Sequence, residues 1–122
     1  MSSVKKQVKI AVENLQEVKA ELVRFYAPIT VDEIIRKLPL EGFLASWENA
    51  IYITVDVERG AEKPVTKLRK GDIFYWPPGR VVGVALEEHS ARTQTVKVGR
   101  CIDDVEPLKG ARNGSRMRIS PL

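Results

Sequence analysis

The sequence predicts one mostly β domain that contains seven or eight short strands and a single short helix. In several segments apolar residues alternate with polar ones, which is the period of a half-buried strand. Glycine, proline and polar residues separate these segments at short intervals, as in a barrel or a sandwich rather than in β-α-β units. The chain has 122 residues, about the length of one domain, so we treat residues 1–122 as a single unit.

The composition indicates a folded protein without a membrane-spanning segment. Apolar residues make up 43% of the chain, an ordinary value for a globular protein. No apolar run approaches the roughly 20 residues that cross a bilayer, and the first residues lack the apolar block of a signal peptide. The single cysteine cannot form an internal disulfide, which is typical of a reducing compartment. We therefore expect a cytoplasmic protein.

Two alternating segments near the N-terminus predict a hairpin. Residues 8–12 form the first strand, residues 14–17 the turn, and residues 18–26 the second strand.

Residues 59–70 are rich in charged side chains and are expected to form a long loop with at most a short strand. Further alternating or apolar segments predict strands at residues 51–58, 73–76, 81–86, 95–102 and 117–119.

One segment after the hairpin predicts a helix of two to three turns. Thr30 and Glu33 have the spacing of a capping box, in which each side chain accepts a hydrogen bond from the backbone N–H of the other. Ile29 and Ile34 occupy the positions of a hydrophobic staple. Apolar residues then recur on one face over residues 31–38, and the proline that follows ends the helix.

The segment of residues 71–79, Gly-Asp-Ile-Phe-Tyr-Trp-Pro-Pro-Gly, combines a strand with a rigid exit. Gly71 permits a positive φ before the strand. The two prolines remove successive N–H donors, so the chain should leave the hydrogen-bond ladder at the rim of the sheet. Tyr75 and Trp76 are adjacent in a strand and must point to opposite faces. We expect one ring in the core and the other beside the principal cleft.

This motif resembles Gly-Asp-x-x-Tyr-Trp-Pro-Pro-Gly in a family of small bacterial and archaeal cyclophilin-like proteins. Ile51-Tyr52-Ile53 is similar to the strand ahead of the motif, and Val98-Gly99-Arg100 to the strand after it. The resemblance implies a cyclophilin-like closed β-barrel of about eight strands, with one short helix covering an open end.

The resemblance also raises the question of prolyl isomerase activity. True cyclophilins hold proline in an apolar pocket beside an arginine, and their signatures are Phe-His-Arg-Val-Ile and Gln-Gly-Gly-Asp. Here residues 43–52 contain no arginine, and the second run is absent. Arg80 or Arg100 would have to supply the guanidinium from another strand. We assign no catalytic residue and expect weak or absent isomerase activity.

Other reactive side chains are sparse. A dyad of His89 and Cys101 would need the fold to join them, and an exposed histidine with a buried cysteine is the simpler interpretation. One histidine and one cysteine do not complete a zinc site. Asp103, Asp104 and Glu106 suit a hard cation, but such a run is more typical of a solvated turn. We therefore expect no metal and no cofactor.

Two functions would use one predicted cleft. The first is a module that binds a small molecule or a peptide, and the second is a divergent prolyl isomerase. Aromatic walls with a few polar tips are typical of such sites. The residues expected to line the cleft are Trp47, Tyr52, Tyr75, Trp76 and Arg80.

A third possible function uses the basic end of the chain. Residues 1–106 hold 16 basic and 16 acidic side chains, and the residues after Glu106 supply the net charge of +4. Such a segment can contact nucleic acid or another polyanion. Because it has neither aromatic platforms nor a recognised motif, a solvated hairpin is the favoured interpretation. The basic residues are Lys109, Arg112, Arg116 and Arg118.

Overall fold

The computed structural model describes residues 4–122, so residues 1–3, on which the expected absence of a signal peptide also rests, lie outside it. This part of the chain contains one α-helix, α1 (Pro28–Lys37), and eleven strands. The strands are β1 (Lys5–Val12), β2 (Val18–Val23), β3 (Leu40–Phe43), β4 (Ala45–Trp47), β5 (Ala50–Thr54), β6 (Lys67–Leu68), β7 (Asp72–Trp76), β8 (Val81–Ala85), β9 (His89–Ser90), β10 (Val96–Cys101) and β11 (Arg116–Pro121). Within residues 4–122, no helix has the length and apolar character needed to cross a bilayer.

Nine of the strands form one antiparallel sheet in the order β3-β11-β1-β2-β10-β7-β8-β5-β4. Its two edge strands, β3 and β4, are separated in the chain only by Leu44, so both edges of the sheet meet in one extended stretch. Leu44 donates its N–H to the carbonyl of Ser115 and accepts from the N–H of Gly114, each at 2.8 Å. The sheet is therefore a nearly closed barrel, and the predicted mostly β, cyclophilin-like fold is confirmed with nine strands.

Part of the barrel wall is buried on both of its faces. In β7, Ile73 and Tyr75 belong to the core inside the barrel, whereas Phe74 belongs to a second apolar cluster on the outside. All five residues of β8 are buried for the same reason. The outer cluster is covered by Val65 and Leu68, which come from the charged segment predicted as a long loop with a short strand. This cover includes the small second sheet of β6 and β9.

Helix α1 begins at Pro28, within two residues of the predicted start at Thr30, and ends before residue 38. The predicted cap, however, is wrong. The N-cap is Ala27, and Thr30 lies inside the first turn. Its N–H and its hydroxyl both donate to the Glu62 carboxylate at 2.9 Å, and Ile29 donates its N–H at 3.2 Å. A carboxylate 32 residues away in sequence thus replaces the local capping box.

The other half of the predicted cap also differs. Glu33 accepts hydrogen bonds from Arg36 and Arg59 instead of reaching back to the helix start. The predicted staple is wrong because Ile29 is 60% exposed while Ile34 is buried.

The second strand of the hairpin also ends earlier than predicted, at Val23, because the chain turns there to enter the helix.

Candidate functional site

Tyr75 and Trp76 point to opposite faces of β7. Tyr75 is fully buried in the barrel core, where its hydroxyl donates to the Val57 carbonyl at 2.7 Å and accepts from the Arg59 N–H at 3.1 Å. Trp76 is half-buried on the outside, and its indole N–H donates to the Thr93 carbonyl at 3.0 Å. The two rings therefore lie on different surfaces, and only Trp76 reaches the solvent side.

The turn after β7 holds the Trp76 ring in place. Gly71 before the strand has a φ of +90°, and residues 77–79 form a 3-10 turn outside the ladder, as the motif predicted. A Cβ atom at Gly79 would lie 2.9 Å from two atoms of the Trp76 ring. Gly79 therefore leaves room for the Trp76 indole to pack against the turn.

Three half-buried rings meet on the outer wall of the barrel and form what we call the aromatic patch: Trp47, Tyr52 and Trp76. The Trp47 ring centroid lies 3.9 Å from that of Tyr52 and 5.3 Å from that of Trp76, the latter pair edge to face. Trp47 and Tyr52 come from the β4-β5 hairpin, and Trp76 from β7, two strands away in the sheet. The barrel therefore brings together rings that are distant in sequence.

A glycine in β8, the strand between β7 and β5, leaves room beneath the patch. Gly83 of β8 pairs with Tyr52 on one side and with Phe74 on the other. A Cβ atom at Gly83 would lie 2.7 Å from the Phe74 ring and 2.8 Å from the Tyr52 Cβ. Gly83 therefore leaves the space that Phe74 fills beneath the patch. No local signal in the sequence marks Gly83, because only the pairing of the strands brings these side chains to it.

Arg92 completes the patch and was also missed. Its guanidinium carbon lies 4.1 Å from the Trp47 ring centroid and 5.5 Å from that of Trp76. Thr95 fixes the backbone there, because its N–H and its hydroxyl both donate to the Arg92 carbonyl, at 3.1 and 2.6 Å. No local signal in the sequence marked Arg92, since its contacts come from other strands.

The arginines considered from the sequence have carboxylate partners. Arg80 follows the 3-10 turn with a φ of 50° and lies 3.4 Å from the Glu58 carboxylate. Arg100 donates to the Glu21 carboxylate at 2.9 Å, and this hydrogen bond raises the pKa of Arg100. Of the five side chains expected to line the cleft, three therefore meet in the patch, while Tyr75 faces the core and Arg80 forms an ion pair.

The lone histidine and the lone cysteine have separate surroundings. The His89 Nδ1 lies 2.8 Å from the Glu87 carbonyl, and its Nε2 lies 4.0 Å from the Glu48 carboxylate. Cys101 belongs to β10, and burial raises the pKa of its thiol to about 12. The thiol therefore stays protonated at neutral pH and is a poor nucleophile.

The acidic run after β10 is engaged in local structure. Asp103 accepts from the Lys19 N–H at 2.9 Å, and Asp104 accepts from the Glu106 N–H at 3.0 Å. Lys70 donates to Glu106, and this contact lowers the pKa of that carboxyl. Within residues 4–122, no three side chains of histidine, cysteine, aspartate or glutamate are grouped to hold a metal ion.

The basic end of the chain is largely ion-paired. Lys109 contacts the carboxylates of Glu87 and Glu106. Arg116 and Arg118 both contact Glu41, at 2.6 and 3.7 Å. Three of the four basic side chains that supply the net charge thus lie within 4.0 Å of a carboxylate, and the two arginines share one.

Comparisons with known proteins agree with the fold. A model of the Cyclophilin-like family matches residues 6–120. The solution structure of a hypothetical protein from Archaeoglobus fulgidus is similar, with a TM-score of 0.82 and 25% sequence identity over 99% of this chain and 98% of that one. No curated protein sequence matches the chain. The chain belongs to the Cyclophilin-like family.

Proposed function

We propose that this member of the Cyclophilin-like family is a binding module whose aromatic patch holds a small molecule or a peptide. The observation that carries the proposal is the meeting of three half-buried rings and one guanidinium on the outer wall of the barrel. Apolar walls with a few placed polar groups are typical of ligand sites. Tyrosine and tryptophan are also enriched where one side of a ring must be apolar and the other wet.

The patch differs from the packing beneath it. Phe74 and Leu68 of the outer cluster are almost fully buried, whereas the three rings of the patch keep part of their surface in solvent. Packing of the outer wall alone does not require large aromatic rings at its edge. A ligand that covers these rings would remove the remaining apolar surface from water, which is favourable in proportion to its area.

The chain offers a direct readout of binding, because its two tryptophans both lie in the patch. We expect 2-naphthamide, a flat neutral probe, or a peptide containing Ala-Pro to shift the indole N–H signals of Trp47 and Trp76 in NMR spectra. Tyr52→Ala should weaken binding while a thermal melt shows a folded protein. Phe43→Ala is the matched control, since it also truncates an aromatic ring, one that is 68% exposed and lies outside the patch. Equal affinity in both variants would contradict the proposal.

A divergent prolyl isomerase is the second candidate, and Arg92 is the observation that favours it. A guanidinium beside apolar rings is the combination that the resemblance implies for this reaction, and here it comes from the loop before β10. We still expect weak or absent activity, because the signatures of true cyclophilins are missing. A protease-coupled assay on Ala-Pro and Leu-Pro peptides tests this. Clear acceleration that Arg92→Ala abolishes would favour the isomerase.

A further inference from the structure

We infer that the ligand of the aromatic patch joins a flat apolar group to a carboxylate, and that Arg92 binds the carboxylate. The inference rests on the proposed function and names the chemical class of its ligand. It follows from the lack of a carboxylate beside the Arg92 guanidinium in the described chain and from the contacts of that guanidinium with the tryptophan rings.

Arg92 has no carboxylate partner within residues 4–122. No acidic side chain of the described chain lies within 4.0 Å of its guanidinium, although the protein contains 16 acidic residues. Its guanidinium lies over the Trp47 ring and beside the Trp76 ring. A cation over aromatic rings is attracted to them, but its charge is not neutralised.

Two other cations lie over rings in the described chain, and both are neutralised. Lys97 lies over a tyrosine ring and is 3.3 Å from the Asp72 carboxylate. Arg116 lies over Phe43 and is 2.6 Å from the Glu41 carboxylate. Of these three cations, Arg92 alone has no carboxylate within 4.0 Å in the described chain, and we infer that a ligand supplies its anion.

The guanidinium is also held ready for such an anion. Its attraction to the rings uses its charge and leaves its five N–H donors available. Thr95 and Trp76 fix the backbone of the loop through hydrogen bonds to the carbonyls of Arg92 and Thr93. Because the side chain is already restrained by the rings, less conformational entropy is lost when a ligand binds.

These features select the ligand class. The planar fork of arginine matches the two oxygens of a carboxylate. Arg92 lies within 5.5 Å of both tryptophan ring centroids. A ligand that contacts the rings and the guanidinium together therefore carries its carboxylate close to a flat apolar group.

The test compares 2-naphthoate with 2-naphthamide, which has the same ring and no charge, and with acetate, which has the charge and no ring. The indole N–H signals of Trp47 and Trp76 report binding to the full chain. We expect 2-naphthoate to bind at least about tenfold more tightly than 2-naphthamide, the range of a charged hydrogen bond. Acetate should bind far more weakly than either ring compound.

Variants assign this preference to one residue. Arg92→Gln should abolish the preference, so that the variant binds 2-naphthoate no more tightly than it binds 2-naphthamide. Arg92→Lys, which keeps the charge without the fork, should fall between. Arg118→Gln is the matched control, because it removes the same charge from β11, outside the patch, and should change neither affinity.

The outcomes separate this inference from the proposed function. Equal affinity for the naphthoate and the amide would overturn the inference and leave the binding module standing. Failure of both ring compounds to move the tryptophan signals would overturn both. The carboxylate belongs either to the C-terminus of a peptide or to a small molecule. A peptide that ends in Phe with a free carboxylate, compared with its C-terminal amide, distinguishes these two sources. A preference for the free peptide over 2-naphthoate identifies a chain end, and the reverse identifies a small molecule.

Discussion

Two adjacent residues of β7 serve different parts of the molecule. Tyr75 fills the barrel and satisfies its hydroxyl with the Val57 carbonyl and the Arg59 N–H, so it also anchors the loop after β5. Trp76 closes the outer cluster and reaches the patch. The alternation of side chains along a strand separates the two rings by the thickness of the barrel wall.

This separation predicts unequal effects of truncation. Tyr75→Ala should lower the free energy of unfolding by about 3–5 kcal/mol, because it removes a buried ring and leaves a cavity. Trp76→Ala should cost less, since the ring is half-buried and its neighbours can adjust, but it should weaken ligand binding. Denaturant unfolding of both variants measures this. Equal and severe losses would mean that both rings are structural.

At the scale of the element, helix α1 depends on a distant carboxylate. Glu62 accepts from the N–H groups of Ile29 and Thr30 and from the Thr30 hydroxyl, which is buried. These are the donors that a helix leaves unpaired at its start. The loop after β5 is thereby tied to the helix, and the local sequence around Thr30 does not determine the cap.

Glu62→Ala should lower the free energy of unfolding by about 1–2 kcal/mol, because it removes the cap and leaves the Thr30 hydroxyl without a partner. Glu17→Ala, which removes an exposed carboxylate elsewhere, is the control and should have little effect. Thermal melts at pH 7 measure both. A loss no larger than that of the control would contradict this assignment of the cap.

The same contact predicts how the effect depends on pH. Partial burial acts to raise the pKa of Glu62, but the hydrogen bonds from Thr30 and Ile29 outweigh it and hold the pKa below its ordinary value of 4.5. The stabilisation is therefore fully present above pH 4.5 and is lost as the pH falls through the lowered pKa. The difference between the wild type and Glu62→Ala should shrink accordingly in acid.

At the scale of the whole molecule, the barrel wall carries apolar side chains on both faces where the patch lies. The inner face fills the barrel, and the outer face packs under the cover of β6 and β9. Such strands contain nearly continuous apolar runs instead of alternating ones. Gly83 leaves room on this outer face for the Phe74 ring and the Tyr52 side chain.

Gly83→Ala should therefore be strongly destabilising, by about 1–3 kcal/mol or more, because a methyl group there collides with the backbone carbonyl of Ile51 and with the Phe74 ring. It should also disturb the patch and weaken binding. Gly60→Ala is the matched control, since a Cβ atom there meets nothing within 4 Å, and it should be neutral or slightly stabilising. Similar melting temperatures for the two variants would contradict this packing.

The sequence by itself determined the seven strands of five or more residues, the helix and the rigid exit of the motif, but not the short strands β3, β4 and β9. Alternation in residues 8–12 and the two prolines after Trp76 act through neighbouring residues, so no knowledge of the fold is needed to interpret them. The tertiary structure alone decided which carboxylate caps the helix and which arginine lies on the patch. Glu62 and Arg92 each contact residues of other elements that are far away in the chain. Their roles therefore exist only once the strands have paired.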